Sequence, residues 1–392
     1  MNILILGNGF DLAHHLPTSY KDFLEFENFV YMIYQITWTR EKDDSRISDL
    51  IEQSTFHSSI KNKLLSANRQ IANINSDLKE NKPIISQDAA LNEFFERTQN
   101  NIWIDYFKHI KFDKGWIDFE NEINNALKEL SDVFSGKLPS FKNYIYSHVK
   151  ADNKTPALII EKLETDLKNL IRALEIYFDE FVNHIEVSKQ IKEICNFNPD
   201  YILSFNYTNT YKRLYGQDCC QIHGIAKYKQ NHPEKTTLVL GIPTINIKLD
   251  ETSITYFYKQ FQRRYNETET GYSKWIQMIN RRNNEYLNTY KIYQSQLKNF
   301  ENEYPERYHP MNVMALKPEK PQKPFNRIMI FGHSLMGDAD ILKPFFMLEN
   351  TNIIIYCNGE TDYKNKWEKI YGPNAMIEEK YQSSVELIKI SW

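Results

Sequence analysis

Six short runs of aliphatic and β-branched residues, spread from one end of the chain to the other, restrict its fold more than any other feature. They are Asn2–Leu6, Tyr201–Phe205, Cys219–His223, Thr237–Leu240, Arg327–Phe331 and Asn352–Tyr356, and several stop directly at Gly, Asn or His. Near-continuous apolar runs bounded in this way suit parallel strands covered on both faces. A further run, Val385–Ile390, reads as an edge strand. Between the runs lie long polar stretches with helical apolar spacing, from Tyr20 to about Lys192 and from Thr255 to Tyr304. Within the first, Lys42–Asp49 and Lys79–Gln87 read as loops. The segment Pro305–Pro324 carries Lys-Pro three times, and residues before proline avoid the α region, so it is expected to be an extended strap. Strands at the start, middle and end of one chain predict a single α/β, Rossmann-like parallel sheet with large helical insertions. The expected core is 1–30, 195–250 and 325–392. The expected insertions are 31–194 and, with the strap, 251–324.

A chain of 392 residues can bury its own core without a disulfide or metal staple. Its net charge of −3 is not the footprint of a nucleic-acid binder. None of Cys195, Cys219, Cys220 and Cys357 forms a C-x-x-C pair, so no zinc module is read and no metal is expected. They are expected to be reduced core residues, Cys219 and Cys220 on a buried strand. No apolar run approaches the roughly 18 residues of a membrane span, and Gly7 and Asn8 end the first one too early for a signal peptide. The protein is therefore expected to be cytoplasmic and not membrane-bound.

Glycine is scarce, at 12 residues, so where it falls is informative. Gly7-Asn8-Gly9-Phe10-Asp11 follows the first run, the geometry of a dinucleotide-binding turn in which Gly9 lets backbone approach a diphosphate. On that reading Gly9→Val should block binding itself. Leu12 stands where a third glycine would be, and a plain βα turn is the alternative. Ser19-x-x-Asp22 reads as a capping box, and His14 and His15 as helix-end residues or ligand contacts. Asp118 and Glu120, after Trp116, open an amphipathic helix and either serve its N-terminus or reach the cleft. Asn206 and His223-Gly224 follow two further strands, and Gly332-His333-Ser334-Leu335, with Asp338 and Asp340, follows another. Catalytic groups gather at strand C-termini in open parallel sheets, although each of these residues also has a structural reading.

The order of these blocks resembles the AbiH family of bacteriophage abortive-infection proteins. Leu6-Gly7-Asn8-Gly9-Phe10-Asp11, Leu16-Pro17-Thr18-Ser19-Tyr20, Trp116-x-Asp118-x-Glu120, Phe205-Asn206-Tyr207, Ile222-His223-Gly224 and Gly332-His333-Ser334-Leu335 carry the resemblance from Ile3 to Asp340. The same blocks are similar to a divergent sirtuin pattern, with Asn206 and His223 matching its catalytic residues. Thr208 stands where that pattern has Asp, and the sirtuin four-cysteine module has no counterpart.

This resemblance implies an antiphage effector that hydrolyses NAD+, its substrate, at the nicotinamide glycosidic bond. Catalytic roles would fall to His223 as base, with a pKa suited to neutral pH, Asn206 on the ribose or water, and Asp11 beside the developing positive charge. Gly7, Asn8, Gly9, Phe10, Gly332, Ser334 and Leu335 would bind the nucleotide. Two other readings stay open: a nucleotide-binding sensor without turnover, and a nucleic-acid-directed effector using Arg263, Arg264, Arg281 and Arg282. The Tyr-rich second insertion is expected to be an appendage away from the cleft and to support a homo-oligomer. A phage or defence-system trigger is an expected partner.

Overall fold

A computed structural model describes residues 1–38, 44–74, 88–110, 118–137, 145, 155–228, 236–243, 254–304, 317–335, 337–373, 375 and 377–390. The apolar runs form a wholly parallel sheet of six strands: β1 (Asn2–Leu6), β2 (Tyr201–Ser204), β3 (Cys220–Gln221), β4 (Asn326–Phe331), β5 (Thr351–Asn358) and β6 (Val385–Ile390). Their order is β3-β2-β1-β4-β5-β6. The chain winds outward from β1 in one direction and from β4 in the other, so the order reverses between β1 and β4. Ligands of open α/β sheets bind at such a reversal.

Both sheet faces are covered, which is why the strands read as unbroken apolar runs. On one face Ile3, Ile5, Leu203, Ile328, Ile330, Ile353 and Ile355 pack with the start of a 34-residue helix (Thr270–Glu303), a helix over Ala339–Phe346 and another over Gly359–Tyr371. On the other, Leu4, Leu6, Ile202, Met329 and Phe331 meet Phe10, Ile194, Phe197 and Tyr211. The helix Tyr20–Trp38 and the first insertion that it leads into share an aromatic-rich core around Phe23, Phe26, Trp103, Phe119 and Leu170. Tyr207, Ala226, Leu238, Leu240 and Phe257 join that core, so the helical bundle seats on the segments that leave β2 and β3. Among its helices, α1 (Phe119–Phe134) matters below, as does α2 (Lys259–Tyr265) from the second insertion.

Three expectations about local structure change. Thr237–Leu240, buried from Leu238 on, joins no ladder. It crosses the strand ends, where the Val239 N–H donates to the His223 carbonyl at 2.9 Å. An apolar run of four residues reports burial, not strand pairing. Cys219–His223 keeps only Cys220–Gln221 as strand, and Cys219 and Cys220 are half-buried. Residues 44–49, read as loop, open the helix Asp44–Gln53; the rest of that call, 42–43, and the loop call Lys79–Gln87 lie outside the described residues. Of the strap, residues 317–324 are described and are neither helix nor strand. Ser19 and Asp22 make the expected reciprocal cap, Asp22 N–H donating to Ser19 Oγ at 3.1 Å and Ser19 N–H to Asp22 Oδ2 at 2.9 Å.

The two turns flanking the reversal touch backbone to backbone. Gly9 N–H donates to the Gly332 carbonyl at 2.8 Å, and Gly332 has φ +69°. A Cβ at Gly332 would lie 2.3 Å from the Phe10 nitrogen. Gly332→Ala is therefore expected to destabilise the protein by about 2–4 kcal/mol, from left-handed strain and overpacking together. Urea unfolding measures this; an unchanged midpoint would show that the turns are not packed this way.

Candidate functional site

Strand register levels the ends of four strands. Leu6 pairs with Ser204 and Phe331, and Ser204 with Gln221. Gly7, Asn206, His223 and Gly332 consequently emerge along one sheet edge, and two polar clusters form there.

The first cluster lies where β3 and β4 end. His223 is buried and its Nε2 lies 2.9 Å from Asp338 Oδ1. The same oxygen accepts from Lys259 Nζ at 3.0 Å, and Lys259 Nζ also meets Glu120 Oε2 at 2.5 Å. Lys259 comes from α2 and Glu120 from the first turn of α1. His333 fixes its own orientation, its Nδ1 accepting from the Leu335 N–H at 2.9 Å while Nε2 lies 3.7 Å from Asp338 Oδ2. The Phe205 ring meets both imidazoles edge-on. Gly224, at φ +78°, is needed because a Cβ would lie 2.0 Å from the Thr237 carbonyl oxygen.

Electrostatics assigns the protons. Burial pulls the His223 imidazole down to about 4, against the pull of Asp338. Burial would raise Asp338, but Lys259 and His223 overcome it and hold the carboxyl well below its usual range. Burial pushes Glu120 up to about 8, with Asp338 adding repulsion. Burial works against the Lys259 charge, and its two carboxylate neighbours outweigh that and raise it. One ammonium between two carboxyls leaves one of them ionised, and Asp338 keeps the charge because the imidazoles also face it. His223 is thus neutral at pH 7, and its pKa lies below the near-neutral value expected of it because burial outweighs the carboxylate beside it. Asp338 can only accept, so Nε2 carries the proton and Nδ1 keeps its lone pair.

The second cluster lies where β1 and β2 end. Asp11 is buried; its Oδ2 accepts from Thr208 Oγ1 at 2.7 Å, and Thr210 Oγ1 donates to Thr208 Oγ1 at 3.0 Å. Burial raises Asp11 to about 6 despite the two hydroxyls. Asn206 Oδ1 and Gln221 Oε1 are buried without a hydrogen-bond partner. Unmet buried acceptors are uncommon, and among the described residues neither oxygen has a donor, as is also true of the Asn124 and Asn209 amide oxygens.

The expected nucleotide contacts divide. Gly7 and Gly9 N–H donate to the Phe331 and Gly332 carbonyls, and Phe10 N–H to the Gly7 carbonyl, so three amides of the turn are engaged inside the fold. A Cβ at Gly9 would lie 2.6 Å from Gly332 Cα, so Gly9→Val strikes protein backbone before any ligand. Asn8 is half-buried, its side chain donating to the Thr18 carbonyl at 3.1 Å. Phe10 is fully buried under the sheet. Ser334 is exposed, and Leu335, at φ +64°, turns its side chain into the core. His14 Nδ1 is held by the Phe10 carbonyl at 2.7 Å. Asp118 caps α1 through the Asn121 N–H, and Glu120 reaches the site; Trp116 lies outside the described residues.

The second insertion is no mere appendage, because it delivers Lys259 to Asp338. Lys259 carried no signal in the sequence: it sits in a polar helix and becomes meaningful only when α2 docks. Of the four arginines, Arg263 and Arg282 are turned toward other parts of the chain, whereas Arg264 and Arg281 are exposed with local acidic partners. Arg263 pairs with Asp340, Arg264 with Glu269, Arg281 with Glu285, and Arg282 donates to Asn326. A surface hollow of about 410 Å³ lies elsewhere, between Arg264, Glu269 and Lys274, and contains none of the strand-end residues. No described helix is long and apolar enough to cross a membrane.

These protonation states set a pH dependence. Between about pH 4 and 6.5 the unfolded chain protonates His223 and the folded chain does not, so this group's contribution to stability is lost as pH falls through that window. Asp11 acts oppositely: its folded carboxyl, at about 6, holds a proton that the unfolded chain has lost above 3.8, so stability falls as pH rises between them. Relative to His223→Gln, the natural protein is expected to lose about 3 kcal/mol more between pH 6.5 and 4. Urea unfolding at stepped pH checks this, and parallel curves for the two proteins would refute it.

The family described as bacteriophage abortive infection AbiH matches residues 3–355, from the first strand into β5. No curated protein and no solved structure matches the sequence. The span of the match covers the sheet reversal, both insertions and every residue of the two clusters: the chain belongs to the bacteriophage abortive infection AbiH family.

Proposed function

We propose that the protein serves abortive infection, the role its family implies, by cleaving NAD+ at the nicotinamide glycosidic bond. The observation that carries the reading is that one sheet edge holds a neutral, Asp338-oriented His223 after β3 and, after β2, a buried Asn206 whose Oδ1 has no donor among the described residues. The similarity of the glycine turn, Asn206, His223-Gly224 and Gly332-x-Ser334-Leu335 to the sirtuin pattern supports it. In the reaction the C1′–N bond breaks and its electron pair enters the pyridinium ring, so nicotinamide leaves neutral and needs no acid. Water adds to the ribose carbon, and its proton passes to His223 Nδ1. Asn206 Oδ1 would accept from that water or a ribose hydroxyl. Asp11, ionised above about pH 6, would face the developing positive charge. Backbone near Asn8 and the Gly332 turn would hold the diphosphate; with Gly7, Gly9 and Phe10 amides already engaged, Asn8 is the turn amide left to do so. No metal enters this scheme.

The engaged amides and the buried state of both clusters favour a second reading, a nucleotide sensor that binds without turnover. Both readings place the nucleotide at the same edge, and they differ in product. Purified protein is expected to release nicotinamide from NAD+. His223→Ala should lower that rate roughly 10²–10⁴-fold while the protein stays folded, the usual cost of losing a general base. Chromatography of the products measures it. NAD+ bound in calorimetry without product would support the sensor. Cellular NAD+ that stays constant while the protein aborts a phage infection would overturn glycosidic cleavage as its mode of action.

A further inference from the structure

We infer that Lys259 and Glu120 are positioning residues of the His223 site, so that the site is assembled only while both helical insertions are docked on the sheet edge. This rests on the reading of His223 as the base and extends it to residues from outside the sheet. Lys259 is 1% exposed, and burying an ammonium costs several kcal/mol unless it is well paired. Packing alone gives no reason for it. Its Nζ lies 2.5 Å from Glu120 Oε2 and 3.0 Å from Asp338 Oδ1. The second atom is the one that holds His223 Nε2. The lysine charge therefore acts on the very oxygen that sets the imidazole tautomer.

The backbone is shaped to admit the pair. Gly337 has φ +76°, and a Cβ there would lie 2.8 Å from Glu120 Oε2 and 3.2 Å from Lys259 Nζ. Three parts of the chain meet at this point: α1 from the first insertion, α2 from the second, and the turn after β4. The groups around it are Asp118 and Glu120 on α1, Lys259 and Arg263 on α2, His333 and Asp338 after β4, His223 after β3, and the Tyr207 phenol after β2. Withdrawing Lys259 leaves Asp338 facing the imidazoles alone, which favours protonation of His223. A protonated His223 has no lone pair for a water. Displacing the second insertion would thus switch the base off without touching the sheet, and displacing the first would remove the Glu120 partner of Lys259.

The test uses the full chain with isotope-labelled histidine, the His223 signals being identified by their loss in His223→Gln. In the natural protein His223 is expected to show the Nε2–H tautomer and to stay neutral down to about pH 4. In Lys259→Met its titration midpoint should rise by about one unit or more, because a like charge has been removed. Nicotinamide release should fall about 10–100-fold, as it does for outer partners that orient metal-bound imidazoles. Lys259→Arg should restore both in part. Glu120→Gln should remove a step near pH 8 from the pH profile of turnover. A folded Lys259→Met protein with an unchanged His223 titration would overturn the inference. Should Lys259→Met not fold, an unshifted titration in Lys259→Arg and a retained step in Glu120→Gln would overturn it equally. If the natural protein releases no nicotinamide while the His223 titration still responds, the cleavage reading falls and the positioning role stands. If turnover is present and neither titration nor pH profile responds, the reverse holds.

Discussion

A single buried carboxylate ties the architecture together. Asp338 leaves the turn after β4 and collects His223 from the end of β3 and Lys259 from the second insertion; Lys259 in turn holds Glu120 from the first. Removing these charges from water costs more than their attraction returns unless every partner is in place. The interaction is therefore weak evidence for stability and strong evidence for a required arrangement. It demands that the sheet and both insertions adopt one relative placement, since any slippage would strand a charge among apolar groups.

The sheet supplies the platform for that arrangement. Level strand ends at the reversal between β1 and β4 put polar residues from distant parts of the chain on one edge, and the helical bundle closes over it through Tyr207, Leu238 and Phe257. Closure raises the stakes of every polar group below. His223 is held neutral, Asp11 is brought to about 6, and Asn206 Oδ1 is left without a donor. Groups shifted in different directions at one sheet edge are the condition under which acid, base and orienting roles separate at neutral pH.

The glycines show how one sequence feature can have two physical causes. A dinucleotide turn and a tight backbone crossing both require residues without Cβ. Here Gly9 and Gly332 are needed first by each other, at a spacing that no side chain could enter. The diphosphate role proposed for this turn consequently falls on Asn8 rather than on the glycine amides.

The residue pattern by itself determined the parallel sheet and the convergence of Gly7, Asn206, His223 and Gly332 on one edge. Those features follow from local chemistry: apolar runs buried on both faces, and breaker residues where each run stops. Periodicity also gave the helical insertions, and it misread Thr237–Leu240 because burial alone does not distinguish a ladder strand from a crossing segment. What only the tertiary structure decided is which charges meet. Lys259 lies in a polar helix where most such residues face water, and nothing in its neighbours marks it, while the place of Glu120 at a helix start is equally compatible with serving that N-terminus. They acquire a role because α1 and α2 approach Asp338 from two sides, and electrostatic pairing between segments far apart in sequence is a property of the packed chain.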